Sequence, residues 1–255
     1  MNRTVFITGA TSGIGQSCAL QFAKNNFNLI LTGRRVERLV ALKAALEEQF
    51  HIEVQVLCFD VRDLDETKQA IASIERERFP VIDILINNAG LASGMSTIDE
   101  GDYDDWNVMI DTNIKGLLHV SRELMPVMKQ QGFGHIVNIS STAAKDVYAK
   151  GNVYCATKHA VDALSKSMRI DLLPYGIKVT SVNPGACETE FSLVRFKGDE
   201  QRAKAVYDGY TPLTPADVAD AVYYVCNLPV HVCINDVTLT CLTQANAHYT
   251  IKKTV

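Results

Sequence analysis

Short β-branched runs alternate with longer stretches whose apolar residues recur every three to four positions, and this rhythm holds along the whole chain. The short runs begin near Thr4–Thr8, Asn28–Thr32, Ile52–Cys58, Ile84–Asn87, His135–Ser140, Lys178–Asn183 and Asp236–Thr240, and are expected to be strands. The longer stretches, Val36–Glu48, Leu64–Arg78, Asn113–Lys129, Val153–Leu173 and Pro215–Leu228, are expected to be helices. The last has a start signal: Thr214 can cap, Pro215 stands where a helix loses no hydrogen bond, and Asp217 suits the positive helix end. Strands separated by helices build parallel sheets. The expected architecture is therefore α/β, a doubly wound parallel sheet of seven strands with helices on both faces. No repeat, linker or low-complexity tract breaks the pattern. Residues 1–244 are read as one domain and 245–255 as a tail too short for a core of its own.

Composition narrows the function classes. The 255 residues are 47% apolar and 21% charged, the balance of a globular enzyme. A net charge of −4 and the lack of any Lys/Arg-dense run argue against nucleic acid or an anionic membrane as partner. The apolar neighbourhood from Val218 to Ile234 is interrupted by Asp220, Asn227, Pro229 and His231, so no membrane span is expected. Met1-Asn2-Arg3 runs straight into a short strand, with no room for the apolar region of a signal peptide. Seven cysteines without CxxC pairs fit reduced thiols, and no metal site is read from them. A cytoplasmic protein acting on a small molecule is expected.

The first strand leads into Thr8-Gly9-Ala10-Thr11-Ser12-Gly13-Ile14-Gly15, followed by a helix expected around Gln16. Glycines at 9, 13 and 15 permit unusual dihedrals and close approach of backbone amides to a pyrophosphate, and the helix offers its positive end. The spacing is not GxGxxG. The strand before and the helix after make it a phosphate-binding turn.

At this point the chain resembles the short-chain dehydrogenases/reductases. The residues that carry the resemblance are Thr8-Gly9-x-x-x-Gly13-Ile14-Gly15, Asn87-Asn88-Ala89-Gly90, Tyr154-x-x-x-Lys158 and Asn183-Pro184-Gly185, in family order across the chain. The resemblance implies a seven-stranded Rossmann fold and a nicotinamide cofactor. Thr11, Ser12 and the three glycines with Ile14 would hold the pyrophosphate, and Asp60-Val61 the adenine. Asn87, Ala89 and Gly90 would line the nicotinamide-side ribose, while Pro184, Gly185 and Thr189 would hold the nicotinamide. About twenty residues beyond the glycine turn, where NAD sites place an acid on the ribose, this chain has Arg34-Arg35. Guanidinium groups suit a 2′-phosphate, so NADP(H) is the expected cofactor.

Tyr154 and Lys158, four apart, share a helix face. Bringing a tyrosine pKa from about 10 to near 7 needs about 4 kcal/mol in favour of phenolate. An ammonium at roughly 4 Å and an effective dielectric near 20 supplies about that. The resemblance adds Ser141, thirteen residues before the tyrosine, to polarise the carbonyl oxygen, with Ser140 its bland neighbour. It also adds Asn113, linked to the lysine through water, beside the plainer reading of a helix-capping asparagine; Asp60 could equally cap a helix before Leu64. The catalytic set is then Asn113, Ser141, Tyr154 and Lys158.

Tyr148-Ala149-x-Gly151-Asn152 and the stretch Glu190–Asp199 resemble the NADP-dependent 3-hydroxy acid (serine, allo-threonine) dehydrogenases, with sulfoacetaldehyde reductases beside them. Residues of about 186–212 would form a substrate lid. Arg195 is expected to anchor a small anionic carbonyl or hydroxy substrate and Tyr148 to wall the pocket, beside Ser141 and Tyr154. Carboxylate and sulfonate both satisfy this chemistry. Two other readings stand: a 3-oxoacyl reductase, whose usual VDGG-like turn is here Val237-Thr238-Leu239-Thr240-Cys241, and a non-catalytic NADP(H)-binding regulator. The resemblance further implies a homotetramer, with the tail and its Tyr249 on a neighbouring subunit near the substrate mouth.

Overall fold

The apolar runs pair into a sheet with both faces covered. In the computed structural model, which describes residues 2–252, the strands are β1 (Thr4–Ile7), β2 (Asn28–Gly33), β3 (Val54–Cys58), β4 (Ile84–Asn87), β5 (Gly134–Ile139), β6 (Ile177–Pro184) and β7 (Asp236–Leu239). They lie in the order β3-β2-β1-β4-β5-β6-β7 with every pairing parallel. The helices are α1 (Gly13–Lys24), α2 (Val36–Phe50), α3 (Leu64–Ala72), α4 (Tyr103–Ile110), α5 (Leu117–Gln131), α6 (Asn152–Leu172), α7 (Phe191–Arg195), α8 (Glu200–Ala205) and α9 (Pro215–Cys226).

Strand alternation divides the core in two. Val5, Ile7, Leu29, Leu31, Ile84 and Ile86 pack with α1, α2 and α9, whereas Phe6, Ile30, Leu85 and Ile136 pack with α3, α5 and α6. The chain moves outward from β1 through β2 to β3, then returns to β1's other edge as β4. Connections therefore leave β1 and β4 in opposite directions, and a crevice opens beyond their C-terminal ends.

The expected strands are found within two residues at each end. Helix boundaries differ more, each for a local reason. α1 opens at Gly13 rather than Gln16, inside the glycine turn itself. α3 stops at Ala72 instead of Arg78 because the buried Gln55 side chain takes over its end, donating to the Ser73 carbonyl at 3.0 Å and accepting from the Glu75 amide at 3.1 Å. The helix expected to begin at Asn113 starts ten residues earlier at Tyr103, capped by Asp102, whose carboxylate accepts from the Asp104 amide at 2.8 Å. It runs through a π-turn over Asp111–Gly116 into α5, so Asn113 sits mid-helix and caps nothing. The α9 start forms as expected, with Thr214 and Asp217 exchanging hydrogen bonds in a capping box.

Residues 186–212, expected to form a lid, hold α7 and α8. The tail turns back as a small hairpin: Ile251 donates to Thr243 at 2.9 Å and Ala245 to Tyr249 at 3.0 Å, and Lys252 reaches the Val206 carbonyl of the lid at 3.4 Å. Met1 and Lys253, Thr254 and Val255 of the expected tail lie outside the described residues. Among the described residues no helix is long and apolar enough to cross a membrane.

Candidate active site

The crevice past β1 and β4 is a cleft of about 580 Å³ running from Arg34 and Asp60 at one end to Tyr210 and Thr250 at the other. At its centre the ends of the two strands are tied together. Thr8 Oγ1 accepts from the Asn88 and Ala89 amides, each at 2.9 Å, and Asn88 Nδ2 donates to the carbonyls of Thr8 and Gly9 at 2.9 and 3.1 Å. Gly9 and Gly13 have φ of +66° and +54°, the left-handed region that side chains disfavour. Gly15 is needed for space: a Cβ there would collide with the Gly9 carbonyl and Asn88 Nδ2. Ser12 precedes α1 without capping it, so the first amides of a twelve-residue helix stay open at the cleft wall. That is a cradle for a phosphate.

Ser12 Oγ instead accepts from Arg35 Nη2 at 2.8 Å, and Thr11 Oγ1 accepts from Arg35 Nε and Nη2 at 3.0 and 2.6 Å. The remaining arm, Nη1, donates to Glu190 Oε2 at 2.8 Å, and Arg38 Nη1 donates to Glu190 Oε1 at 2.7 Å. The Arg35 hydrogen bond, opposed by burial and joined by Arg38, holds the Glu190 carboxyl down to about 2. Arg34 is more exposed and lies 3.5 Å from Asp60 Oδ2. Burial works against ionised Asp60, yet Arg62's hydrogen bonds and the Arg34 charge keep its carboxyl below the usual range.

At the other end, α6 brings up Tyr154 and, one turn later, Lys158, both buried. Ser141 follows β5 at the start of a short turn of 3₁₀-helix, its Oγ accepting from the Ala143 amide at 3.1 Å. Ser140 lies beside it, but its hydroxyl is turned to the Lys158 carbonyl at 3.5 Å. The lysine ammonium donates to the Ile139 carbonyl at 3.0 Å. An ammonium has three N–H groups, so two stay unused among the described residues, facing the cleft. Burial lowers the Lys158 pKa to about 8. The Tyr154 hydroxyl is pushed up by burial and by neighbouring Tyr148, against Ser141's hydrogen bond and the Arg195 charge. The lowering expected from an ammonium is not seen in this geometry: Lys158 Nζ stands 5.9 Å from the Tyr154 ring centre and is bonded to Ile139.

Asn113 does not line the cleft; it stands behind it. Its side-chain amide pairs with the backbone of Leu91 like a neighbouring strand, accepting from the amide at 2.9 Å and donating to the carbonyl at 2.8 Å. It also donates to Thr157 Oγ1 on α6 at 3.0 Å. The π-turn thereby joins the wall of the cleft to the helix of Tyr154 and Lys158. Asn87, expected to line a ribose, is corrected: its Nδ2 points away into the α5–α6 face and donates to Ser121 and Asn138, each at 2.9 Å. Strand alternation sends it there, and Asn88 lines the cleft in its place.

Over the reacting end lies α7. Phe191 meets Tyr154 edge to face at 5.5 Å, and the Arg195 guanidinium stands 5.4 Å from the Tyr148 ring centre and 5.7 Å from that of Tyr154. Its Nε donates to the Gly94 carbonyl across a long 3.4 Å. Gln244, which sequence reasoning passed over, anchors the segment after β6: its Oε1 accepts from the Ala186 amide at 2.8 Å, and a side chain on Gly185 would collide with it. Thr189 packs on Gly13, where a Cβ would come within 3.3 Å of it.

The residues fit a dinucleotide on two counts: open helix amides at the glycine turn and Lys158 donors unused among the described residues.

The chain is similar to known proteins along nearly its whole length. The family model described as short chain dehydrogenase matches residues 3–199. The chain is 43% identical over 250 residues to an NADP-dependent 3-hydroxy acid dehydrogenase, YdfG, of Salmonella typhi, spanning 98% of this chain and 99% of that protein. It is 42% identical over 252 residues to a sulfoacetaldehyde reductase of Chromohalobacter salexigens, spanning 98% of each. Among solved structures, the closed form of serine dehydrogenase complexed with NADP+ matches with a TM-score of 0.91 at 41% identity, over 98% of this chain and 100% of that one.

Proposed function

The chain belongs to the short-chain dehydrogenase family, and from that premise we propose that it is an NADP(H)-dependent oxidoreductase interconverting a small anionic aldehyde or ketone and its hydroxy form. The observation that carries the substrate class is Arg195, a guanidinium without a carboxylate partner among the described residues, fixed 5.7 Å from the Tyr154 ring. Arg binds a carboxylate or sulfonate through two parallel N–H groups, and so holds the carbonyl of a two- or three-carbon anion near the tyrosine.

In the reductive direction the Ser141 hydroxyl donates to the substrate oxygen and Tyr154 passes its proton to that oxygen as charge develops. Lys158, with two N–H groups not taken by Ile139, would hold the cofactor's ribose hydroxyls, and its positive charge would favour the tyrosine's anion. Asn113 keeps α6 and Leu91 in register behind them. Hydride exchange with the carbonyl carbon is the chemistry the bound nicotinamide supplies. Thr189, Gly185 and Ala186, braced by Gln244, would orient it, and Arg34 and Arg35 would receive the 2′-phosphate.

The names of the relatives offer a 3-hydroxy acid, serine or sulfoacetaldehyde. One panel tests the class: NADPH-dependent reduction of malonic semialdehyde, sulfoacetaldehyde, succinic semialdehyde and a neutral aldehyde, with NADP+-dependent oxidation of serine beside it, compared by kcat/KM. A preference for the neutral aldehyde overturns the proposal. The proposal extends to a cytoplasmic homotetramer in which the outer face of the tail hairpin, with Tyr249 59% and Ile251 58% exposed, meets a neighbouring subunit. Truncation after Gln244 with activity and assembly intact would remove that part.

A further inference from the structure

The cofactor end and the lid are joined by one carboxylate. Glu190 immediately precedes α7, the turn that carries Arg195 into the cleft, and it binds Arg35 at 2.8 Å and Arg38 at 2.7 Å across more than 150 residues of chain. Three more of the five N–H groups of Arg35 are on Thr11 and Ser12, which leaves one. A bidentate grip on a phosphate needs two open N–H groups, and this guanidinium has no such pair while Glu190 holds it. The far end of α7 is pinned separately: Gly94 donates to the Arg195 carbonyl at 3.0 Å, and Lys197 Nζ lies 2.9 Å from Asp105. What loosens Glu190 therefore frees only the first end of the turn.

We propose that Glu190 is an internal rival of the cofactor's 2′-phosphate, occupying Arg35 and Arg38 until the phosphate takes them, and that it thereby limits the preference for NADP(H) over NAD(H) and couples that choice to the lid. The inference rests on the NADP(H) reading above. A phosphate monoester carries close to two negative charges against the single charge of the carboxylate, so the exchange favours the phosphate. By linkage, a ligand that displaces Glu190 must loosen the start of α7, and a ligand without the 2′-phosphate must not. The carboxyl's low pKa keeps the rival charged throughout the working pH range.

The test uses the full chain and its Glu190→Gln variant, which keeps shape and loses charge. Titration calorimetry with 2′,5′-ADP and with 5′-ADP, and fluorescence titration with NADPH and NADH, give the affinities. The variant should bind 2′,5′-ADP and NADPH about fivefold tighter, the size expected of a partly exposed ion pair, and 5′-ADP and NADH unchanged. In the unaltered chain, backbone amide hydrogen exchange over 190–194 should quicken with 2′,5′-ADP and not with 5′-ADP. If the unaltered chain prefers 2′,5′-ADP but Glu190→Gln leaves that preference unchanged or lowers it, Glu190 is no rival and the inference falls alone. If the unaltered chain has no such preference, the 2′-phosphate reading falls and takes the inference with it.

Discussion

The buried ammonium of Lys158 donates to the carbonyl of Ile139 at 3.0 Å, joining the middle of α6 to the last residue of β5. This bond keeps the charge near the tyrosine but turned from it, with two donors free. Replacing Lys158 by Met should therefore weaken NADPH binding as well as catalysis, whereas Tyr154→Phe should lower kcat by about 10²- to 10⁴-fold with cofactor affinity nearly unchanged. Cofactor titration beside steady-state kinetics separates the two, and unchanged NADPH affinity in Lys158→Met would contradict the assignment. Linkage adds a pH signature. The folded pKa is about 8 and the unfolded one 10.5, so between them the unfolded chain binds the extra proton. The stability of the ligand-free protein relative to Lys158→Met should rise with pH across that window.

Arg195→Ala should raise KM for anionic substrates about 10- to 100-fold, the loss of a charge-assisted pair, and leave a neutral aldehyde nearly untouched. Equal effects on charged and neutral substrates would make Arg195 a support for Tyr148 and not an anchor.

Gly15→Ala is a test of the glycine turn by space alone. The added methyl meets the Gly9 carbonyl and Asn88 Nδ2, two atoms already bonded to each other at 3.1 Å. Overpacking of this kind costs about 1 to 3 kcal/mol. Chemical denaturation should show that loss together with weakened NADPH binding; a variant of unchanged stability would mean the strand ends yield easily.

His135 offers a clean acid-stability experiment far from the cleft. Thr180 donates its one hydroxyl hydrogen to the Ile234 carbonyl at 2.6 Å, so His135 Nε2, 2.7 Å away, must be the donor between them. Nδ1 is then bare, and it has no partner among the described residues. Burial lowers the pKa from 6.5 to about 3. The neutral ring's stability is present above pH 6.5 and is lost as pH falls toward 3, by at most about 1.4 kcal/mol per unit. His135→Gln should flatten that part of the denaturation profile; parallel profiles for both proteins would rule the histidine out.

Periodicity made the sheet legible because every strand except the edge strand β7 is buried on both faces, and all are bounded by turn residues. It failed where a helix owes its limits to distant partners. Gln55 ends α3 from another strand, and the five- and six-residue lid helices are too short to show a period. The start of α4 was readable from Asp102 and its following acids, but the polar first turn hid it. That Tyr154 and Lys158 meet at the cleft beyond the glycine turn was visible through spacing, since the helix period and the turn are set by local backbone geometry. Choosing Asn87 over Asn88 neglected strand alternation, which sends adjacent side chains to opposite faces. Glu190 had no local signal at all, because its partners lie on a different strand-to-helix connection.

One extra residue in a helical turn rotates everything on its far side by about 100°. The π-turn at Asp111–Gly116 is such an insertion held permanently in place by Asn113. It sets the phase between two parts of one long rod: downstream, α5 lies flat on the sheet, while upstream, α4 aims Asp105 at Lys197 of the lid. Deleting any single residue of that turn would leave a smoother helix whose upstream half faces a third of a turn the wrong way.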